Sequence, residues 1–309
     1  MVKSKMKKKN KGVVIIFVLI FTMAISTMAI FLGVRAKQYL SLFSGIKKES
    51  EIENIAEMGV EMGMTLLDAA QKKHIVSEEV GCIKKEYELE DKKIEILITD
   101  ENGKINPNRI FGSEKGEFHT RLLDVYKRLF SVMGYTENLS DALLDWIDED
   151  DIPRMAGAES SFYRTSGFSY TPPNRPLYSP DEMLLVAGFT EDIVSGDEEK
   201  KGLISFITSF SDGKINVNTC QPEILNAMGF SVADVEKITS ERARRPIEER
   251  FLLGVNKEAY LKVRDIIVFK SGYFVITSCV TDGEGYRKEV KAYVKRTDKS
   301  MEIIRMDIR

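Results

Sequence analysis

Polar and apolar positions divide the chain into three regimes. From Val13 to Val34 no charged residue occurs. At a helical rise of roughly 1.5 Å per residue that run reaches about 33 Å, enough to cross a hydrocarbon core about 30 Å thick. Beyond it the chain stays helix-compatible and proline-free to about Lys73, with Ile52, Ile55, Gly59, Met62, Leu66 and Ala69 recurring at spacings of three and four. That period predicts an amphipathic helix with one buried stripe. Gly45 is a candidate break between the two helical halves, and Met58, Met62 and Met64 read as pliable core filling.

Alternation then takes over. Lys84–Leu89 and Lys93–Thr99 predict two strands around the turn Glu90-Asp91-Lys92, with Ile94, Ile96 and Ile98 on one face. Helical patterns follow at Glu117–Met133, Leu139–Ile147, Pro180–Ala187 and Gly202–Thr208, separated by a loop at Ser160–Ser179 rich in Pro, Tyr and Ser. Strand patterns return at Tyr273–Val280, Tyr286–Lys295 and Glu302–Ile308. Strands on both sides of a helical block predict an α+β sheet domain with a large α-helical insertion, taken as residues 105–255. The expected segments are therefore 1–12, 13–34, 35–104, 105–255 and 256–309.

A short repeat marks two corners of that block. Gly103-Lys104-Ile105-Asn106-Pro107-Asn108 matches Gly213-Lys214-Ile215-Asn216-Val217-Asn218. In each, Gly suits a tight turn, Ile anchors a short strand, and Asn closes the local backbone or caps a helix after it.

Charge sharpens the picture of the first segment. Of 45 basic residues in the 309-residue chain, six lysines fall in residues 1–12, which hold no acid; the remainder keeps 39 basic against 48 acidic residues, a net of −9. Six lysines before the apolar run, against Arg35 and Lys37 after it, predict a cytoplasmic N-terminus and an acidic body across the membrane. Three readings compete for the segment: a cleaved signal peptide, a plain anchor, and a pilin-type leader. A signal peptide has a shorter apolar region and a small-residue cleavage site after it. Here the basic leader instead ends at Gly12, directly before Val13 and the apolar run, which resembles type IV pilin-like leaders that a prepilin peptidase cuts after the Gly. Such pilins carry Glu at the fifth mature position; this chain has Phe17.

Little of the remaining chemistry suits catalysis. Two histidines, His74 and His119, and three widely spaced cysteines, Cys82, Cys220 and Cys279, exclude a four-Cys zinc site and a disulfide-dense scaffold. The densest chemistry is Asp145-Trp146-Ile147-Asp148-Glu149-Asp150-Asp151-Ile152-Pro153-Arg154, with Glu159 close behind. Oxygen ligands at alternating positions suit a hard cation, so Asp148, Asp150 and Glu159 form a candidate Ca²⁺ site, although the loop does not follow the EF-hand pattern. The competing readings are a solvated acidic turn with Arg154 or Arg175 paired nearby, and an acid/base pair for glycoside cleavage. At Pro222–Val255 the chain resembles a helix-hairpin-helix corner. Gly229 takes the first hairpin glycine position and Ser231 stands at the second, with Arg242, Arg244, Arg245 and Arg250 nearby. A nucleic-acid binder carries a net basic face, and the acidic body argues against that partner.

The motifs together resemble the type II secretion system protein K family. They are Asp145-Trp146-Ile147-Asp148-x-Asp150, Pro153-Arg154, Gly157-Ala158-Glu159, Tyr163, Asn174-Arg175-Pro176-Leu177, Asp181-Glu182-Met183-Leu184 before Gly188, and Lys214-Ile215-Asn216-Val217-Asn218 before Pro222. Members of that family also lack the fifth-position Glu, as at Phe17. The resemblance implies a pilin-like α+β domain interrupted by a helical domain. It further implies a non-enzymatic minor pseudopilin of the bacterial inner membrane, placed at the tip of the periplasmic pseudopilus with two other minor pseudopilins and bound calcium. Processing would fall at Gly12/Val13, followed by N-methylation. The alternatives are a membrane-anchored DNA receptor of the competence type, using the Gly229 corner, and a minor pilin of a type IV pilus.

Overall fold

The computed structural model describes residues 10–73, 81–111, 116–197, 199–297 and 300–309; most of the lysine leader and His74 lie outside them. Residues 1–55 and 56–309 form two compact units. Helix α1 (Asn10–Lys73) supplies the whole described part of the first and opens the second. In the first unit the side chains from Val13 to Val34 are exposed, and the helix is long and apolar enough to cross a membrane. Gly12, Val13 and Phe17 are all exposed on it.

The second unit is an α+β body. Strands β1 (Cys82–Leu89) and β2 (Lys92–Asp100) form the expected hairpin, with Glu90 at φ 55° in its turn. Two-residue strands β3 (Ile215–Asn216) and β4 (Ile267–Val268) pair in parallel, and β5 (Tyr273–Thr281), β6 (Arg287–Arg296) and β7 (Met301–Ile308) complete an antiparallel sheet of order β1-β2-β5-β6-β7. Period-two side chains put Ile94, Ile96 and Ile98 opposite Val280, Ser278 and Ile276 on one buried face.

That face receives α1 on a stripe that keeps the expected Gly59 and otherwise runs through neighbouring positions. Ala56, Gly59, Val60, Gly63 and Leu67 are buried, whereas Met62 and Leu66 are half-buried and Ala69 is exposed. The small residues decide the rotation. A Cβ at Gly59 would stand 2.1 Å from Ser278 Oγ, and one at Gly63 2.5 Å from Ile276 Cγ2, so close approach of helix and sheet requires glycine there.

The helical block enters after β2 and leaves before β5. Its helices are α2 (Glu117–Val132), α3 (Glu137–Ile147), α4 (Ser160–Thr165), α5 (Glu191–Val194), α6 (Pro222–Ala227), α7 (Val232–Arg242) and α8 (Glu249–Val263). Three expectations are corrected. Residues 160–165 are helical, not loop; Pro180–Leu185 and Leu203–Ser205 are 3₁₀ turns; and the boundary at 255 falls inside α8, whose Ala259, Tyr260 and Val263 belong to the block's own core, together with Ile266 and Ile267. No disulfide joins the described cysteines.

The six-residue repeat extends through the block. Ile105 bridges Ile207 in parallel as Ile215 pairs with Ile267. Asn106 Oδ1 accepts from the Asn108 N–H (3.1 Å), as Asn216 Oδ1 accepts from Asn218 (2.9 Å). Asn108 clamps Leu177 at both backbone groups and donates to the Ser209 carbonyl; Asn218 does the same to Ile247 and Phe269. The clamped residues end Arg175-Pro176-Leu177 and Arg245-Pro246-Ile247. Between clamp and target each half carries a helical hairpin, α2–α3 through Met133-Gly134-Tyr135-Thr136 and α6–α7 through Met228-Gly229-Phe230-Ser231. Gly134 stands at φ 76° and Gly229 at φ 97°, and Tyr135 and Phe230 donate to the carbonyl five residues earlier. The block is thus two copies of one module. They differ most after the second hairpin helix: α7 reaches its Arg-Pro-Ile within a few residues, whereas the first copy interposes 148–174.

Where block meets sheet, polar groups are buried and paired. Asn102 Nδ2 donates to Asp212 Oδ1 (2.9 Å) and the Lys214 carbonyl (2.8 Å), while its Oδ1 accepts from Gly272 and Tyr273 N–H (2.9 and 3.1 Å). Beside it Asp100 accepts from Asn102 N–H and the Ser271 hydroxyl. Burial, opposed by these hydrogen bonds, lifts its pKa from 3.8 to about 6.

Two outcomes are expected. Gly63→Ala adds helix propensity of roughly 1 kcal/mol, but overpacking of about 1–3 kcal/mol outweighs it, so its thermal midpoint in detergent falls below wild type. Gly45→Ala, with nothing within 4 Å of the new Cβ, keeps only the gain. For Asp100 the folded pKa lies above the unfolded one, so the native chain binds more protons between about 4 and 6, and the group's contribution to stability declines as pH rises through that window. Urea unfolding of Asp100→Asn across that range shows the decline removed.

Candidate metal centre

The acidic site is built on the segment that distinguishes the first module copy from the second. Asp145 sits in the last turn of α3 and is fully buried, and Asp148 is that helix's C-cap, its N–H donating to the Leu144 carbonyl (3.0 Å). An i, i+3 spacing at a helix end brings these two carboxylates to one side. Glu159 comes from the far end of the loop, where it is the N-cap residue of α4 but makes no side-chain cap. One oxygen each of Asp145, Asp148 and Glu159 lies within 4.8 Å of the others.

Asp150, expected as a ligand, is not in this group. Its Oδ1 accepts from the Ile152 N–H (2.8 Å), closing an exposed turn, and its carbonyl accepts from Asn174 (2.9 Å). Asp145 takes its place. The sequence signal was the Asp145-x-x-Asp148 spacing on a helix, which an alternating-loop pattern passes over. Gly157 confirms how tightly Asp145 is held: a Cβ there would lie 1.9 Å from Asp145 Oδ2.

The electrostatics are unbalanced. Arg154 Nη1 donates to Asp145 Oδ1 (2.7 Å) and to Asp148, and the Arg154 backbone N–H also reaches Asp145 Oδ2 (3.1 Å). Glu159 is 1% exposed, and neither of its carboxylate oxygens has a hydrogen-bond partner. Burial and the neighbouring Asp145 and Asp148 charges push it up from 4.5 to about 8. Burial also raises Asp148, opposed by Arg154. Trp146, Tyr163, Phe168 and Tyr170 stack into an aromatic wall beside the site, with Tyr163 Oη accepting from the Ala187 N–H (2.7 Å). Three converging carboxylates, one with two orphaned buried oxygens, are a donor set for a hard divalent cation.

The hairpin residues serve the fold. Ser231 caps α7, accepting from Asp234 N–H (3.2 Å), while Asp234 Oδ2 accepts from Ser231 N–H (3.2 Å) and from Asn256 (2.9 Å). This reciprocal box engages the N–H groups of Ser231 and Asp234, and it puts a carboxylate at the helix N-terminus, where a phosphate would otherwise be favoured. Arg242 is buried, donating to the Val217 and Cys220 carbonyls (3.2 and 2.6 Å), and Arg245 pairs with Glu241.

Similarity to known proteins tracks this division of the chain. Residues 103–196, the first module copy with its acidic loop, match the model for type II secretion system (T2SS) protein K. That stretch of the chain is similar to protein K of type II secretion systems. It is 26% identical over 178 residues to the type II secretion system protein K of Klebsiella pneumoniae, covering 54% of this chain and 52% of that protein. To its counterpart in Dickeya chrysanthemi it is 27% identical over 184 residues, covering 54% and 49%. The matched region spans about half the length of these relatives. A chain in the crystal structure of the GspK-GspI-GspJ complex from enterotoxigenic Escherichia coli shares the fold, with a TM-score of 0.65 at 16% identity over 86% of this chain and 98% of that one.

For the cluster itself the sign is definite. The folded pKa of Glu159 lies above its unfolded value, so without metal its contribution to stability falls as pH rises between about 4.5 and 8. In chelator, Glu159→Gln therefore melts above wild type at pH 8, and the difference closes towards pH 5.

Proposed function

We propose that this chain is a minor pseudopilin of a bacterial type II secretion system, capping the pseudopilus tip and taking part in protein export as a structural part. The observation that carries this reading is the helical block set between adjacent strands β2 and β5 of a pilin-type sheet. An ordinary fibre subunit presents a surface on which the next subunit stacks, and a two-module block added there fits a cap. The family match over residues 103–196 and the shared fold support the same reading.

On this reading residues 13–34 anchor the chain in the inner membrane, with the lysine leader cytoplasmic and the α+β body periplasmic. Prepilin peptidase cuts between Gly12 and Val13, both exposed on α1, and the new N-terminus is methylated. Phe17 removes the carboxylate that ordinary subunits offer a neighbour's N-terminus, a pairing the first subunit of a fibre does without. Two other minor pseudopilins are the partners. Ca²⁺ occupies the cluster of Asp145, Asp148 and Glu159, where it would neutralise the three carboxylates and cross-link α3 to the start of α4. The rival DNA-receptor reading loses its phosphate site to the Ser231–Asp234 capping box.

Two measurements test the proposal. N-terminal sequencing of the membrane form is expected to begin at Val13, methylated, and to begin at Met1 in cells lacking prepilin peptidase. Affinity capture of the full chain from detergent-solubilised membranes is expected to retain two other minor pseudopilins; recovery of the chain alone, with Met1 intact, refutes the assignment.

A further inference from the structure

Three carboxylates converge at the metal centre, and a cation from the chain itself already stands among them. Arg154 Nη1 bridges Asp145 and Asp148 but makes no bond to Glu159, whose oxygens stay unpartnered. One guanidinium carries a single charge on a planar fork that can serve only part of such a cluster. A divalent cation coordinates oxygens at about 2.3–2.6 Å. The candidate ligand oxygens lie within 4.8 Å of one another, so an ion using the Asp145 and Asp148 oxygens now bonded to Nη1 would take the place of that group.

Resting on the calcium reading above, we propose that Arg154 is a built-in competitor at this centre: its guanidinium holds Asp145 and Asp148 together when metal is absent and is displaced when metal binds. The geometry provides for departure. The Arg154 side chain is partly exposed, and its guanidinium lies 5.3 Å from the Phe111 ring centroid, an aromatic face that can keep it once the carboxylates are taken. The Arg154 backbone N–H stays on Asp145 whatever the side chain does, so the loop remains tethered during the exchange. Arg154 thereby sets the metal concentration at which the loop between α3 and α4 changes its cross-link, and it keeps two buried acids paired in the metal-free chain.

The test is calcium titration of the full chain in detergent by calorimetry, paired with thermal melts in chelator and in calcium. Breaking charge-assisted bonds to Arg154 is part of the cost of metal binding in the wild type, so Arg154→Met is expected to bind Ca²⁺ about 10- to 100-fold more tightly. It should also melt lower than wild type in chelator and recover in calcium. Arg154→Lys, which keeps the charge, is expected to bind close to wild type. If Arg154→Met proves too unstable without metal, it is purified in calcium and its affinity read by competition with a chelator of known strength. Equal or weaker calcium binding by Arg154→Met overturns the proposal and leaves the calcium site standing. Absence of calcium binding in wild type and both variants overturns the calcium reading itself, and the competitor with it.

Discussion

The fold depends on closing a long insertion between two strands that must lie side by side. In a sheet, neighbouring strands sit about 4.8 Å apart, so the chain that leaves β2 and the chain that returns to β5 have to be brought together although the whole helical block separates them in sequence. Asn102 does this with one side chain: its amide N–H₂ holds the start of the second module at Asp212 and Lys214, and its oxygen holds Gly272 and Tyr273 at the entry to β5. Asp100 and Ser271 form a second tie alongside. These groups are buried, and an unpaired one costs roughly 1–3 kcal/mol. The hydrogen bonds therefore specify a single register for block against sheet.

The same constraint explains the organisation of the block. Each module copy uses one Asn to clamp an Arg-Pro-aliphatic segment, Leu177 for Asn108 and Ile247 for Asn218, and both copies share one hydrophobic core. With the framework duplicated, only one copy is free to carry something extra. The first copy opens between α3 and Arg175 and holds the acidic loop there, whereas the second runs straight on and places a self-capped helix at its hairpin. Chemistry and scaffold are thus divided between two similar halves, and the family match coincides with the half that carries the acidic loop.

Within that loop, burial makes the difference between an acidic surface and a cation site. Glu149, Asp150 and Asp151 face water, and Asp150 and Asp151 engage their oxygens with the Ile152 N–H and the Ser160 hydroxyl. Asp145, Asp148 and Glu159 do not face water. The Asp145 and Asp148 charges raise the cost of ionising Glu159, and the single arginine among them bonds only the two aspartates.

Much of this was legible from residue order alone, wherever a local period or composition decides the outcome. The uncharged run from Val13 to Val34 is long enough to cross a membrane, alternation at Ile94, Ile96 and Ile98 is a strand face, and the repeated Gly-Lys-Ile-Asn corner announces itself. Tertiary structure decided what depends on contacts across the fold. It kept Gly59 in the buried α1 stripe but turned the next turns from Met62 and Leu66 onto Gly63 and Leu67, because Ser278 and Ile276 leave no room for a side chain at either glycine. It replaced Asp150 by Asp145, because the centre is assembled from a helix end and a distant cap residue instead of one alternating loop. It extended a six-residue repeat into two whole modules, because the residues that equate them, Leu177 with Ile247 and Ile207 with Ile267, are joined to the repeat only through hydrogen bonds made after folding.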